Sequence, residues 1–176
     1  LYNRMQLETA PQLKKMQDLV WALCKEDKPE NEKEILAELT LIGAYFKRRN
    51  NLLFISETQD TIRMAELGYC FQESVSALEL QGVTGSCLVE DQGNISLSES
   101  IQLYDAFQSV LQKTFSCINS IAVFLRTVES GFEMCISLHL TTEMTFQFDS
   151  DFRIEQEEEN DYLLTYFVAR GDGDGK

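Results

Sequence analysis

His139 is the one histidine of the chain, and imidazole is the side chain best suited to moving protons near neutral pH. A general base needs a nucleophile within reach and a carboxylate to orient it. No Ser, Cys or Asp stands beside His139 in a recognisable nucleophile motif, so a histidine exposed at a strand end is the expectation. Five cysteines, Cys24, Cys70, Cys87, Cys117 and Cys135, are widely spaced, set among apolar residues and form no CxxC pair. They read as reduced core thiols of an intracellular protein, and with no clustered Cys/His ligands no metal site is expected. The acidic run Glu155-Gln156-Glu157-Glu158-Glu159-Asn160-Asp161 lacks the alternating oxygen ligands and central glycine of a calcium loop. It reads as a solvated turn whose charges discourage pairing at a sheet edge. Lys47-Arg48-Arg49, followed by Asn50-Asn51, is the one concentrated basic patch. Three successive positions span most of a helical turn and cannot all face one ligand. Two readings stand side by side: a solvated helix face, or a docking point for an acidic partner, the acidic remainder of the chain included.

The elements that must carry these residues follow from apolar spacing. From Met5 to Lys25, Leu7, Leu13, Met16, Leu19, Val20 and Leu23 recur at helical intervals, with Pro11 expected to start or kink the helix. A charged connection containing Pro29 leads into a second helix ending near Ser56. Its Ile35, Leu39, Ile42, Phe46 and Leu53 form a heptad seam, with Arg49 standing where one more apolar residue would fall and able to fix register through an ion pair. Two helices with a short connection make an antiparallel hairpin. Tyr45, Leu52, Phe54 and Ile55 lie outside the seam, and pairing two hairpins into a four-helix dimer would bury them. A third helix is expected over Thr61 to Gln81, ended by Gly82, then a strand from Val83 to Glu90 and a turn at Asp91-Gln92-Gly93-Asn94. Ser96 and Glu99 fit a capping box for a fourth helix running to about Ser116. Strands follow at Ser120 to Val128, Phe132 to Leu140, Phe152 to Glu158 and Tyr162 to Ala169, with an irregular segment after Leu140. The pattern is α+β: a helix hairpin, then an α/β sandwich with helices on one face of a mixed sheet.

Composition narrows the partners. The 176 residues hold 29 Asp+Glu against 15 Lys+Arg, a formal net charge of −14. Residues 1–60 carry nine basic and ten acidic groups, net −1, whereas residues 61–176 carry six and nineteen, net −13. An acidic surface of this kind excludes nucleic acid bound through a basic face and disfavours anionic membranes. Hydrophobic residues at 44% are too many for disorder, and no stretch approaches the length of a membrane span. A chain opening on Leu1 rather than Met reads as a piece of a longer protein. The expected organisation is a hairpin over 1–58, a second module over 61–170 and a flexible tail over 171–176.

The order of elements resembles the cytoplasmic part of a bacterial sensor histidine kinase: a dimerisation hairpin joined to an ATPase domain of the gyrase/Hsp90/kinase type. The stretch Ile101-Gln102-Leu103-Tyr104-Asp105-Ala106-Phe107-Gln108-Ser109-Val110-Leu111-Gln112-Lys113-Thr114-Phe115, continuing to Ile121-Ala122-Val123-Phe124-Leu125, is similar to the family's helix that supplies a Glu and an Asn, followed by its central strand. Gly68-Tyr69-Cys70-Phe71-Gln72-Glu73-Ser74 through Leu80-Gln81-Gly82-Val83 is similar to its first helix-to-strand step. Ile42-Gly43-Ala44-Tyr45-Phe46-Lys47-Arg48-Arg49-Asn50-Asn51-Leu52 resembles kinase-like proteins of Gram-positive bacteria. In outline the resemblance covers nearly the whole chain.

Departures from the family shape the function it implies. Where the family places its Glu and its Mg²⁺-binding Asn, this chain has Ser109 and Lys113; Ser is no carboxylate base, and a Lys cation is no ligand for a hard metal ion. Lys113 is left as either a phosphate contact or a solvated lysine. The family's Asp-x-Gly turn, which reads adenine, is replaced after the central hairpin by His139-Leu140-Thr141-Thr142. Some twelve residues separate His139 from Phe152, too few for the family's glycine-rich lid and the helix after it. The terminal Gly171-Asp172-Gly173-Asp174-Gly175-Lys176 lacks the strand-to-helix context of a phosphate loop. The family's phosphoacceptor His belongs on the first hairpin helix, and residues 1–60 contain no His. The resemblance thus implies a degenerate, pseudokinase-like signal-transduction module without a cofactor: a cytoplasmic homodimer with a protein partner in a two-component pathway, touching a membrane only through a segment preceding Leu1. The alternatives are a residual ATP-binding kinase or phosphotransferase, and a scaffold for two-component partners.

Overall fold

The computed structural model describes residues 2–90 and 93–171, with side chains from residue 9 onward. Two long helices, α1 (Tyr2–Leu23) and α2 (Pro29–Ile55), form the expected antiparallel hairpin, joined across their faces by a Lys15–Glu38 ion pair at 2.6 Å. Pro29 sits in the first turn of α2, where its fixed φ suits the helix and its missing N–H is not needed. Helix α1 runs through Pro11 rather than starting at it. The ring already holds a near-helical φ and removes one hydrogen bond, which a 22-residue helix absorbs.

The helix expected over Thr61–Gln81 is divided. Thr61–Arg63 is strand β1, α3 spans Met64–Leu78, and Glu79–Gln81 is a 3₁₀ turn. β1 pairs antiparallel with β3 (Asn94–Ser96), Ile62 opposite Ile95, and both isoleucines are buried. Ile62 therefore belongs to a two-stranded ribbon rather than to a helical stripe, a partnership between segments some thirty residues apart that local periodicity does not reveal. Gly82 closes the 3₁₀ turn at φ +83°, the left-handed region that glycine enters without a Cβ clash. Of the turn expected at 91–94, Asp91 and Gln92 lie outside the described residues.

β2 (Thr84–Val89), α4 (Leu97–Thr114), β4 (Ile118–Val128), β5 (Gly131–Leu140), β6 (Phe152–Glu158) and β7 (Asp161–Ala169) complete the chain. The five-stranded sheet has the order β2-β4-β5-β7-β6, with β2 parallel to β4 and every other pair antiparallel. Alternation fixes its two faces. Ile121, Val123 and Leu125 on β4, Met134, Ile136 and Leu138 on β5, and Leu164 on β7 point into one apolar core with Leu67, Phe71 and Val75 of α3 and Leu103, Phe107 and Leu111 of α4. The architecture is α+β, a helix hairpin followed by a sandwich with helices on one face of a mixed sheet. Among the described residues no helix is long and apolar enough to cross a membrane.

The same core continues into the hairpin through Ala37, Leu41, Tyr45 and Leu52 of α2. This corrects one expectation. Tyr45 and Leu52, assigned to the surface between two hairpins, are buried by their own chain, Ile55 packs against the core, and of the four only Phe54 stays exposed, at 63%. Among the cysteines, Cys24 is exposed and Cys135 is half-buried outside the core, while Cys70 is buried in it, Cys87 and Cys117 pack against it, and all five thiols are free.

Candidate functional site

Helix α4 carries Ser109 and Lys113, and the end of β5 with the residues after it carries His139-Leu140-Thr141-Thr142. The start of α4 is set by the expected capping box: Ser96 Oγ accepts the Glu99 N–H at 3.2 Å, and Glu99 Oε2 accepts the Ser96 N–H at 2.9 Å. The other Glu99 oxygen accepts the Gly171 N–H at 2.8 Å, tying the chain's last described residue to the helix. Burial raises the Glu99 carboxyl, but these donors together with Arg170 outweigh it and hold the group below the ordinary carboxylate value. The remainder of the terminal glycine-rich run, 172–176, lies outside the described residues.

Near the other end of α4, Ser109 spends its hydroxyl on its own helix, donating to the Ala106 carbonyl at 2.7 Å. Lys113, one turn on, is exposed, with Nζ 5.6 Å from the centre of the Phe148 ring, within cation–π range. Phe148 belongs to residues 141–151, which form neither helix nor strand and cross from β5 to β6 as a strap. The strap alternates: Met144, Phe146 and Phe148 pack against the core, while Thr145 and Gln147 face water. Its rings make a continuous series. Phe146 stacks on Phe148 at 5.6 Å and meets Tyr162 edge-on at 5.1 Å; Phe148 contacts Phe152 at 4.8 Å, and Phe152 contacts Tyr166 at 5.0 Å. The strap is also pinned through its backbone, Met144 N–H to Tyr162 Oη at 3.0 Å and Thr141 N–H to the Cys117 carbonyl at 2.7 Å.

The far half of the sheet, β7 and β6, is thereby covered by aromatic side chains. Ser109 and Lys113 thus set a hydroxyl that donates within its own helix beside a cation, and an ammonium is no ligand for Mg²⁺. Among the described residues no group of three or more His, Cys, Asp or Glu could hold a metal ion.

The basic patch lies elsewhere, between α2, α3 and α4. Lys47 Nζ is 2.6 Å from a Glu73 carboxylate oxygen, and Arg48 pairs with the other oxygen of the same group. Burial raises the Glu73 carboxyl, but hydrogen bonds from Lys47 and Arg48 prevail and hold it below the ordinary value. Arg49, only 8% exposed, makes a forked pair with Asp105 of α4, Nε to Oδ1 at 2.9 Å and Nη2 to Oδ2 at 3.1 Å. Tyr45 donates to the same carboxylate at 2.7 Å, and burial followed by the Asp105 charge drives its phenol pKa strongly upward. Tyr45 also meets Tyr104 at 5.4 Å, and Phe71 bridges Tyr104 to Phe107. Arg49 of α2 thus makes an inter-helix ion pair, and its carboxylate partner stands on α4. Lys47 and Arg48 converge on one carboxylate while Arg49 takes another, and both Glu73 and Asp105 come from residues 61–176.

His139 stands on the opposite, outer face of the sheet, 2.6 Å from Asp161 and remote in sequence from Ser109 and Lys113 on α4. Sequence reading missed its carboxylate partner because Asp161 comes from the second strand of another hairpin; only the β5–β7 register pairs the two. It also missed the strap. The alternation Met144-x-Phe146-x-Phe148 was the available signal, a strand-like pattern in a segment too irregular to pair.

Neither a protein-family model nor a curated protein sequence matches the chain. Several solved structures are similar in shape. A bacterial phosphotransferase is 10% identical, with 94% of this chain and 92% of that one covered at a TM-score of 0.47. The histidine kinase domain of a blue-light-activated kinase from Erythrobacter litoralis is 8% identical, with 87% and 93% covered at a TM-score of 0.47. A histidine kinase crystallised in complex with a response regulator is 9% identical, with 99% of this chain but 62% of that one covered at a TM-score of 0.42.

Proposed function

We propose that this chain is a signal-transduction module of histidine-kinase-like build that neither binds nucleotide nor carries a phosphoryl group on its hairpin, and that acts by presenting a conformational state to a protein partner. The observation that carries this reading is the strap: Phe146 and Phe148 lie over the far half of the sheet beside α4, and Lys113 closes on Phe148. Ser109 is no carboxylate base, Lys113 is no ligand for a hard metal ion, and no histidine stands on α1 or α2 to accept phosphate. In this reading residues 1–58 are the hairpin and residues 61–170 the degenerate ATPase-like module.

The hairpin retains apolar surface suited to a second copy. Leu13 and Val20 of α1, seven residues apart on one face, are 43% and 49% exposed, and Trp21 beside them is 67% exposed. We infer a homodimer through this face, formed by α1 and α2 of each copy. What the molecule would relay is the strain on the α2 contact: Arg49–Asp105 and the Lys47/Arg48–Glu73 cluster couple hairpin position to α3 and α4. The test combines mass and chemistry on the purified chain. Light scattering is expected to give twice the chain mass, and incubation with γ-labelled Mg-ATP is expected to leave neither label on the protein nor ADP above background. Labelled protein would overturn the reading that no phosphoryl group is carried, and a monomer would overturn the dimer.

A further inference from the structure

The outer face of the sheet carries chemistry for which the proposed relay has no use. Three neighbouring strands place Ser120, His139 and Asp161 in one row, Ser120 opposite His139 between β4 and β5 and His139 opposite Asp161 between β5 and β7. Directly opposed residues of antiparallel strands share a face, with Cβ atoms about 4.5–5.5 Å apart. The Ser120 placement depends on a bulge: Ile118 pairs with Leu140 and Ser120 with His139, so Asn119 is the extra residue. Without it Asn119, not Ser120, would oppose His139. Bulges of this kind re-aim side chains.

The hydrogen-bond geometry assigns roles. Asp161 Oδ1 lies 2.6 Å from His139 Nδ1. In the neutral imidazole a carboxylate acceptor there favours the tautomer with its proton on Nδ1 and the lone pair on Nε2, the one that a general base requires. All three residues line one cavity of about 320 Å³. Its wall also carries Thr84, Ser86 and Ser137, hydroxyls able to donate to an oxygen that gains negative charge, and Glu157. With two carboxylates in the lining, an anionic substrate is repelled.

We propose that Ser120, His139 and Asp161 act as nucleophile, general base and orienting carboxylate toward neutral or cationic short-chain esters. Ser120 Oγ bonds to the ester carbonyl carbon as its proton passes to His139 Nε2. The carbon–oxygen bond to the alcohol then breaks, and the alcohol leaves with that proton. Water, deprotonated by the same nitrogen, attacks the acyl-Ser120 ester and releases the acid, restoring the serine. Ester and water become acid and alcohol with no further reactant. The assignment is independent of the nucleotide question, because none of these residues belongs to α4 or the strap.

The full-length chain tests it directly. A fluorophosphonate probe followed by peptide mass mapping is expected to place one adduct on Ser120, at a rate about 10²-fold lower or less in a folded His139→Gln variant. p-Nitrophenyl acetate is expected to give a burst approaching one nitrophenolate per chain, lost in S120A and slowed in D161N, with circular dichroism confirming that each variant is folded. An adduct on His139 instead of Ser120, labelling at an unchanged rate in H139Q, or a burst that persists in S120A would overturn the proposal.

Discussion

Glu73 receives two cations from one helix, and its ionisation is the most accessible measure of how firmly α2 is held against the rest of the chain. Each of these contacts is partly exposed and worth about 0.2–1 kcal/mol by the usual behaviour of surface pairs. The sign of their pH dependence follows from the lowered Glu73 value. A carboxyl that ionises more readily in the folded chain contributes stability above its unfolded pKa, about 4.3. That contribution disappears as pH falls through the lower folded value. Thermal melts of the wild type and E73Q across pH 3 to 7 should therefore differ most near neutrality, with the variant less stable, and converge on the acid side. Parallel curves would mean that the Lys47/Arg48 contacts contribute nothing. Arg49 is a separate case. Its forked pair with Asp105 is largely shielded and is braced by Tyr45, so its loss leaves the Asp105 carboxylate with the Tyr45 hydroxyl but without its guanidinium donors. At this scale the sequence announced the cations but not their partners. Residue type marked Lys47, Arg48 and Arg49 as a cluster, whereas Glu73 and Asp105 are two of nineteen acidic groups in residues 61–176 and nothing local distinguishes them.

The strap is the element on which the functional reading turns. It has no ladder hydrogen bonds, so its position depends on ring packing and a few backbone contacts, among them Met144 N–H to Tyr162 Oη. Removing two partly buried rings together, F146A/F148A, is expected to destabilise the chain by about 2–4 kcal/mol, less than two fully buried phenylalanines would cost. The strap should also become more readily cut by a protease between Thr141 and Asp151, which limited proteolysis with mass mapping would detect. Unchanged stability and unchanged cleavage would show the rings to be surface ornaments rather than cover. Elements with a strong period were legible from the sequence: α2, α3, α4, β5 and β7 follow apolar spacing, and the Ser96–Glu99 box marks the start of α4. The elements that escaped are those defined by a remote partner. Thr61–Arg63 is a strand only because Asn94–Ser96 pairs with it.

Taken whole, the molecule is a hairpin whose second helix shares a core with the sandwich it precedes. Charge follows that division: the near-neutral first sixty residues set Lys47, Arg48 and Arg49 against carboxylates of the strongly acidic remainder. Order of elements and composition made this architecture readable in advance, since each amphipathic segment has one face to bury and few ways to bury it. The direction of α2's outlying apolar residues was not readable, because a helix with apolar residues on more than one side offers two partners, a second hairpin or its own chain. Tyr45 and Leu52 went to the latter. The central claim is that aromatic cover and a changed donor set have closed this fold to nucleotide. Isothermal titration of the purified chain with Mg-ATP tests it most directly. The account predicts no saturable heat up to millimolar nucleotide, and a saturable micromolar isotherm would contradict it.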